Sequence, residues 1–411
     1  MTFKSVKLSS ICETNATSYT QKDNWQFVNY LDTGNITQNK ISEIQRIDLQ
    51  SEKLPSRAKR KVKRNSIIFS TVRPNQLHYG IIKSQPQNFL VSTGFTVIDV
   101  DELKANADFI YYYLIQDDII QHLQAIAEQS TSAYPSIKSS DIEDLSIDLP
   151  ELEVQSRIAA ILSAIDNKIE LNTAINENLE QQAQAIFKSW FVDFEPFGGF
   201  MPDDWKTGTF SDIIQSTLGG DWGKEESTGS YTEQVYCIRG ADIPEVKIGN
   251  KGKMPTRYIL PKNYKSKKLV PDDIVIEISG GSPAQSTGRA AAISQSLLDR
   301  YDNGLICTNF CRAIKPVSGY SKFIYYYWQY LYDRNVFFSY ENGTTGIKNL
   351  DISGFVETEP IIIPPVKDLD RFNELTSVFF SKIFLNGLEN ESLSVLRDTL
   401  LPKLMSGEII L

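Results

Sequence analysis

KIELNTAINENLE (168–180) is written a second time, 214 residues later, as KIFLNGLENESLS (382–394). The two align without a gap and share Lys168/Lys382, Ile169/Ile383, Leu171/Leu385, Asn172/Asn386, Asn176/Asn390, Glu177/Glu391 and Leu179/Leu393. The same offset carries FIYYYL (109–114) onto FIYYYW (323–328) and Pro150 onto Pro364. Between these anchors the alignment drifts, as loops of unequal length require: SIKSSDIEDLSIDLP (136–150) faces GIKNLDISGFVETEPIIIP (346–364), and STGFTVIDV (92–100) faces CTNFCRAIK (307–315). The chain is therefore two copies of one unit, a mixed α/β body followed by a helical segment.

The helical segments have a coiled-coil period. Ile158, Leu162, Ile165, Ile169, Asn172, Asn176, Leu179, Ala183, Ile186 and Trp190 step by alternating fours and threes. A helix of about 35 to 40 residues is roughly 55 to 60 Å long, too long to serve only as core filler. In the second copy Phe372, Leu375, Phe379, Ile383, Asn386, Leu393, Leu396 and Leu400 share a face, although Gly387 interrupts it and Pro402 stands in its last turn. Two such stripes in one chain pair most simply with each other, antiparallel. Asn172, Asn176, Asn386 and Asn390 sit where apolar residues would be more stabilising, so they are candidates for setting the register.

The expected fold is α+β: two pseudo-symmetric mixed α/β domains separated by two long antiparallel helices. The predicted boundaries are 1–150 for the first domain, 151–195 for the central helix, 196–365 for the second domain and 366–411 for the C-terminal helix. The aromatic strings lie N-terminal to a polar turn and the long helix, so they read as helical core bracing each domain.

The length of 411 residues suits two or three domains, each with its own core. The N-terminus MTFKSVKLSSICETN has neither the apolar core of a signal peptide nor the Arg-rich pattern of a transit peptide. A cytoplasmic location is expected, with Cys12, Cys237, Cys307 and Cys311 reduced and mostly buried.

Catalytic signatures are missing. Two histidines, His78 and His122, leave little for metal or acid–base chemistry. LGGDWGKEE (218–226) lacks the spacing of a phosphate loop. Asp272 and Glu277 in PDDIVIEIS could hold Mg²⁺ in a nuclease, but Ser279 stands where such sites carry lysine, and a strand is the simpler reading. A binding protein fits better, with no cofactor or metal expected in this chain.

A net charge of −9 argues mildly against a protein coated in nucleic acid, but an average does not exclude a local patch. Basic loops precede a β-rich run in both copies, at 57–64 and at 262–268. Two units braced by long helices suit a DNA duplex with two half-sites, read by Lys/Arg on phosphates and polar side chains on base edges. Candidates in the first unit are Lys59, Arg60, Lys61, Lys63, Arg64, then Ser70, Thr71, Arg73, Asn75, Gln76, and Ser130, Thr131, Ser132, Tyr134, Lys138. In the second they are Trp222, Lys224, then Ser279, Ser282, Gln285, Arg289, and Tyr340, Asn342, Thr344, Thr345, Lys348. A coiled-coil scaffold whose two bodies bind proteins is the alternative, supported by the acidic balance.

The segment LPELEVQSRIAAILSAIDNKIELNTAINENLEQQAQAIFKSWF (149–191), its echo PPVKDLDRFNELTSVFFSKIFLNGLENESLSVLRDTLLPKLMSGEI (364–409), and the stretches LGGDWGK and GTTGIKNLDI resemble the specificity subunit of type I restriction-modification enzymes. The resemblance covers essentially the whole chain. It implies a non-catalytic subunit whose two target recognition domains each read half of a bipartite, asymmetric DNA sequence. The paired helices would be a ruler for the unread spacer and the docking surface for two modification subunits. It further implies that those partners use S-adenosylmethionine to methylate adenine N6, and that restriction subunits add ATP- and Mg-dependent translocation and cleavage.

Overall fold

The computed structural model describes residues 3–130, 134–282, 285–343, 347–409 and 411. Contacts divide the chain into one unit of Met1–Asn167 with Ser394–Leu411 and another of Lys168–Leu393. Both boundaries fall inside long helices, because the central helix (Leu152–Phe191) and the C-terminal helix (Val366–Met405) each contribute one end to each unit.

In the first unit Lys4–Lys7 pairs antiparallel with Ser146–Leu149, which leads into the central helix. An antiparallel sheet runs in the order Cys12–Thr14, Phe95–Val100, Ile67–Ser70, Tyr79–Ile81. Its inner strand Ile67–Ser70 is buried along its whole length, so it reads as a continuous apolar run rather than an alternating one. A second sheet runs Gln45–Asp48, Phe27–Leu31, Phe89–Ser92, Ala58–Lys61, with Phe27–Leu31 and Phe89–Ser92 parallel.

The second unit repeats this grammar. Lys206–Thr209 pairs with Pro360–Ile363. Ile214–Gly219, Cys311–Pro316, Ile274–Glu277 and Ala290–Ala292 form the antiparallel sheet. Thr256–Ile259, Glu233–Ile238 and Gly304–Cys307 form the mixed one, again with one parallel pair. The duplication read from sequence is thus a duplication of strand pairing, in an α+β fold.

Both aromatic strings are helical and buried, in Ala107–Leu114 and Ser321–Asp333. A buried phenol or indole needs a polar partner, and each string finds them on its own unit. Tyr112 donates to Asp166 (2.7 Å) and Tyr113 to the Ser146 carbonyl (2.7 Å). Tyr325 and Tyr326 donate to the two oxygens of Glu180 (3.1 and 3.2 Å), and Trp328 Nε1 donates to the Gly288 carbonyl (2.8 Å).

The long helices run antiparallel, as the register in each unit shows. In the second unit Asn172 Nδ2 donates to Asn390 Oδ1 (2.9 Å), and Asn386 Nδ2 to Asn176 Oδ1 (2.8 Å). All four asparagines are nearly inaccessible. In the first unit Arg397 bonds Asp166 (3.0 Å), and Leu401 and Leu404 share a core with Ile158 and Leu162.

Gly387 does not break the C-terminal helix. A Cβ there would stand 1.9 Å from the Gly249 carbonyl oxygen, so the glycine admits a loop against the helix backbone. That loop is fastened by Asn176 Nδ2 to the Ile248 carbonyl (2.9 Å) and Arg300 Nη1 to the Gly249 carbonyl (2.6 Å). The helix also continues through Pro402 to Met405.

Two corrections apply to the helix faces. Beyond Asn176 the buried positions are Glu180, Ala183, Phe187 and Phe191, while Leu179, Ile186 and Trp190 lie half-buried at the flank. The central helix there packs on the second aromatic helix, and the wider stripe of a globular contact replaces the narrow coiled-coil seam. On the C-terminal helix Leu375 and Leu396 are exposed, with Thr376 buried and Arg397 turned inward on Asp166.

The four cysteines are free, and all but half-buried Cys12 are buried. Among the described residues no helix is long and apolar enough to cross a membrane.

Candidate nucleic-acid interface

In each unit the fold joins two of the polar segments that lie far apart in sequence. In the first, Val72 bridges Ser136, the Ile137 N–H donates to the Thr71 carbonyl (2.8 Å), and the Arg73 N–H to the Pro135 carbonyl (3.0 Å). Arg73 has φ +48°, a left-handed turn that carries its guanidinium to 5.2 Å from the Tyr134 ring centroid. Arg73, Asn75, Gln76, Tyr134 and Lys138 are exposed on these joined segments.

Ser70 and Thr71 face the other way. Ser70 is buried and donates to the Val72 carbonyl (3.0 Å), while Thr71 donates to the Gly94 carbonyl (2.9 Å), so both shape the turn from within. Ser130 accepts from the Ser136 N–H (3.3 Å). Thr131 and Ser132 lie outside the described residues.

The basic run at 57–64 is not the loop expected. Ala58–Lys61 is a strand paired with Phe89–Ser92, since Ala58 fits a buried position and Arg60 reaches across to the Thr93 carbonyl. Lys61 is paired with Asp23, and Lys63 stands 3.8 Å from Asp99. Lys59, Lys63 and Arg64 are exposed to solvent. The second basic segment is not a loop either: it is a helix, Pro261–Lys267, with proline at its start.

In the second unit Ser279–Gly280 pairs with Lys348–Leu350, which pairs with Glu341–Asn342. Ser279 donates its hydroxyl to Asn349. Ser282, Gln285 and Asn342 are exposed around this small sheet. The second aromatic helix braces it from behind through Trp328 on Gly288 and Tyr332 on the Ser286 carbonyl (3.3 Å). Thr344 and Thr345 lie outside the described residues.

Three of the candidates here are engaged internally. Arg289 gives two bonds to Glu277 (2.7 and 2.6 Å), Lys348 is 2.8 Å from Glu341, and Tyr340 donates to Glu359 (2.8 Å). Both oxygens of Glu277, one of the carboxylates weighed for a nuclease, are taken by Arg289.

GGDWGK forms its own surface. The Arg257 guanidinium lies 3.9 Å over Trp222, which remains 38% exposed, and Lys224 exchanges main-chain bonds with Tyr258 (2.9 Å each). A Cβ on Gly223 would stand 2.4 Å from the Tyr258 carbonyl oxygen, which explains the glycine. Arg257 and Glu341 are absent from the sequence-derived set, and Glu277 is weighed there only as a metal ligand. Their spacing to Trp222, Arg289 and Lys348 follows no motif, and only strand pairing brings them together.

Joined polar segments with exposed Arg, Lys, Asn, Gln and Tyr have the groups that phosphates and base edges require. Residues 1–181 match the family described as type I restriction modification DNA specificity domain. The chain is 25% identical to the HindI specificity subunit of Haemophilus influenzae, across 92% of this chain and 94% of that one. It is 28% identical to the MjaIX specificity subunit of Methanocaldococcus jannaschii, across 74% and 69%. A solved specificity subunit from M. genitalium shares the fold at a TM-score of 0.55 and 16% identity, covering 98% of this chain and 96% of that one. The likeness to type I specificity subunits read from the sequence holds over most of the chain, and it favours that reading over a protein-binding scaffold.

Proposed function

We propose that this chain is the non-catalytic DNA specificity subunit of a type I restriction-modification complex in the cytoplasm. Each unit reads one half of a bipartite, asymmetric site. The carrying observation is that each unit joins two remote polar segments with exposed side chains about the join, 71–76 with 134–138 and 279–282 with 341–342 and 348–350. Exposed cations such as Arg73, Lys138 and Lys224 suit phosphates, and Asn75, Gln76, Gln285 and Asn342 have the paired donor and acceptor that a base edge requires.

The antiparallel helices set the unread spacer, their register fixed by the asparagine pairs. Val378, Leu385 and Leu388 on the C-terminal helix are 66, 62 and 47% exposed, an apolar row suited to docking a modification subunit. Two such subunits would bring S-adenosylmethionine for adenine N6 methylation, and restriction subunits would bring ATP- and Mg-dependent cleavage. Phosphate contacts by those partners offset the acidic balance of this chain.

Methylome sequencing of a host expressing the chain with its modification subunits tests the proposal. The expected result is one motif with two specified parts, an unspecified spacer and a methylated adenine in each part. A contiguous palindrome, or no new motif, overturns it.

A further inference from the structure

Both units hold their joined segments main chain to main chain, and the second adds a buried side-chain contact. In the second, Ser279–Gly280 pairs with Lys348–Leu350, and one side chain further ties Thr287 to the strands 341–342 and 348–350. Glu341 accepts from the Thr287 N–H (2.6 Å) and hydroxyl (2.9 Å), and its other oxygen meets Lys348 Nζ (2.8 Å). The carboxylate side chain is only 6% exposed. Burial alone would push its pKa up, yet the bonds from Lys348 and Thr287 outweigh burial and hold it below the usual glutamate range.

We infer that Glu341 is a positioning residue for recognition by the second unit: it clasps Thr287 to Lys348, fixing two segments as one reading surface while neutralising a cation beside it. This rests on the specificity reading above. A lysine held by a buried carboxylate contributes little to indiscriminate phosphate binding. Released, it would attract any duplex, since each added phosphate contact steepens the dependence of affinity on salt. Loss of the clasp should therefore lower discrimination and raise non-specific affinity together. A residue that only stabilised the fold would not produce this pair of effects.

The test uses the assembled complex of the full chain with its modification subunits, and duplexes carrying every single-base change in each half of the target. E341Q should lower discrimination in one half by tenfold or more, leave the other within twofold, and steepen the salt dependence of binding to an unrelated duplex. T287V removes one donor and keeps the carboxylate, so it should disturb the same half by a smaller factor. R73A should disturb the opposite half. The inference is overturned if neither Glu341 nor Thr287 variant changes discrimination, if both halves fall equally, or if non-specific binding weakens. A wild-type complex with no two-part preference would instead defeat the specificity reading, and this inference with it.

Discussion

Glu180 shows how one side chain can join an aromatic string to a helix. It is 7% exposed, accepts from Tyr325 and Tyr326, and has Lys247 at 3.9 Å. Burial pushes its pKa up, and Lys247, Gln184 and the two phenols offset this only in part. A carboxyl with a raised folded-state value binds its proton more firmly folded than unfolded. Its contribution to stability is therefore fully favourable below the unfolded glutamate range, about 4.3, and is lost as pH climbs to the raised folded value. Melting temperature measured against pH should fall across that window in the wild type and stay flatter in E180Q. An identical pH profile in the variant would remove Glu180 as the cause. Sequence reasoning missed this residue because a glutamate between helical turns reads as solvated. The phenols that receive it were legible only as core.

At the scale of elements, the long helices were readable because their stripes are local in sequence, whereas the pairing that joins 279–280 to 348–350 depends on strands about 70 residues apart. Gly387 was misleading for the same reason: its purpose is the Gly249 loop, which no helical pattern reveals. Replacing a mid-helix glycine by alanine normally stabilises by about 1 kcal/mol. Here the added Cβ meets backbone, which cannot swing aside as a flexible side chain would. G387A should therefore destabilise the chain, by roughly 1–3 kcal/mol as overpacking does, seen as a lower denaturant midpoint. A variant more stable than wild type would show that the Gly249 loop is not seated on the helix.

At the scale of the whole molecule, chain order and unit membership diverge. Leu404 follows the second body in sequence, yet it is 1% exposed in the first unit's core, with Ile158, Leu162, Phe109 and Tyr112. The predicted division at 365/366 treats the C-terminal helix as a separate arm, whereas contacts split it after Leu393 and give its end to the N-terminal body. That assignment was beyond reach of the repeat, because both copies of a duplicated helix present similar apolar faces and the sequence does not state which body each face covers. Truncating a fully buried leucine to alanine costs about 2–5 kcal/mol through lost burial and the cavity left behind. In L404A, hydrogen exchange should rise in the strands and helices of residues 67–162, while residues 205–361 keep their protection. If protection were lost first in 205–361, the helix end would belong to the body it follows in sequence, and the division into units would have to be redrawn.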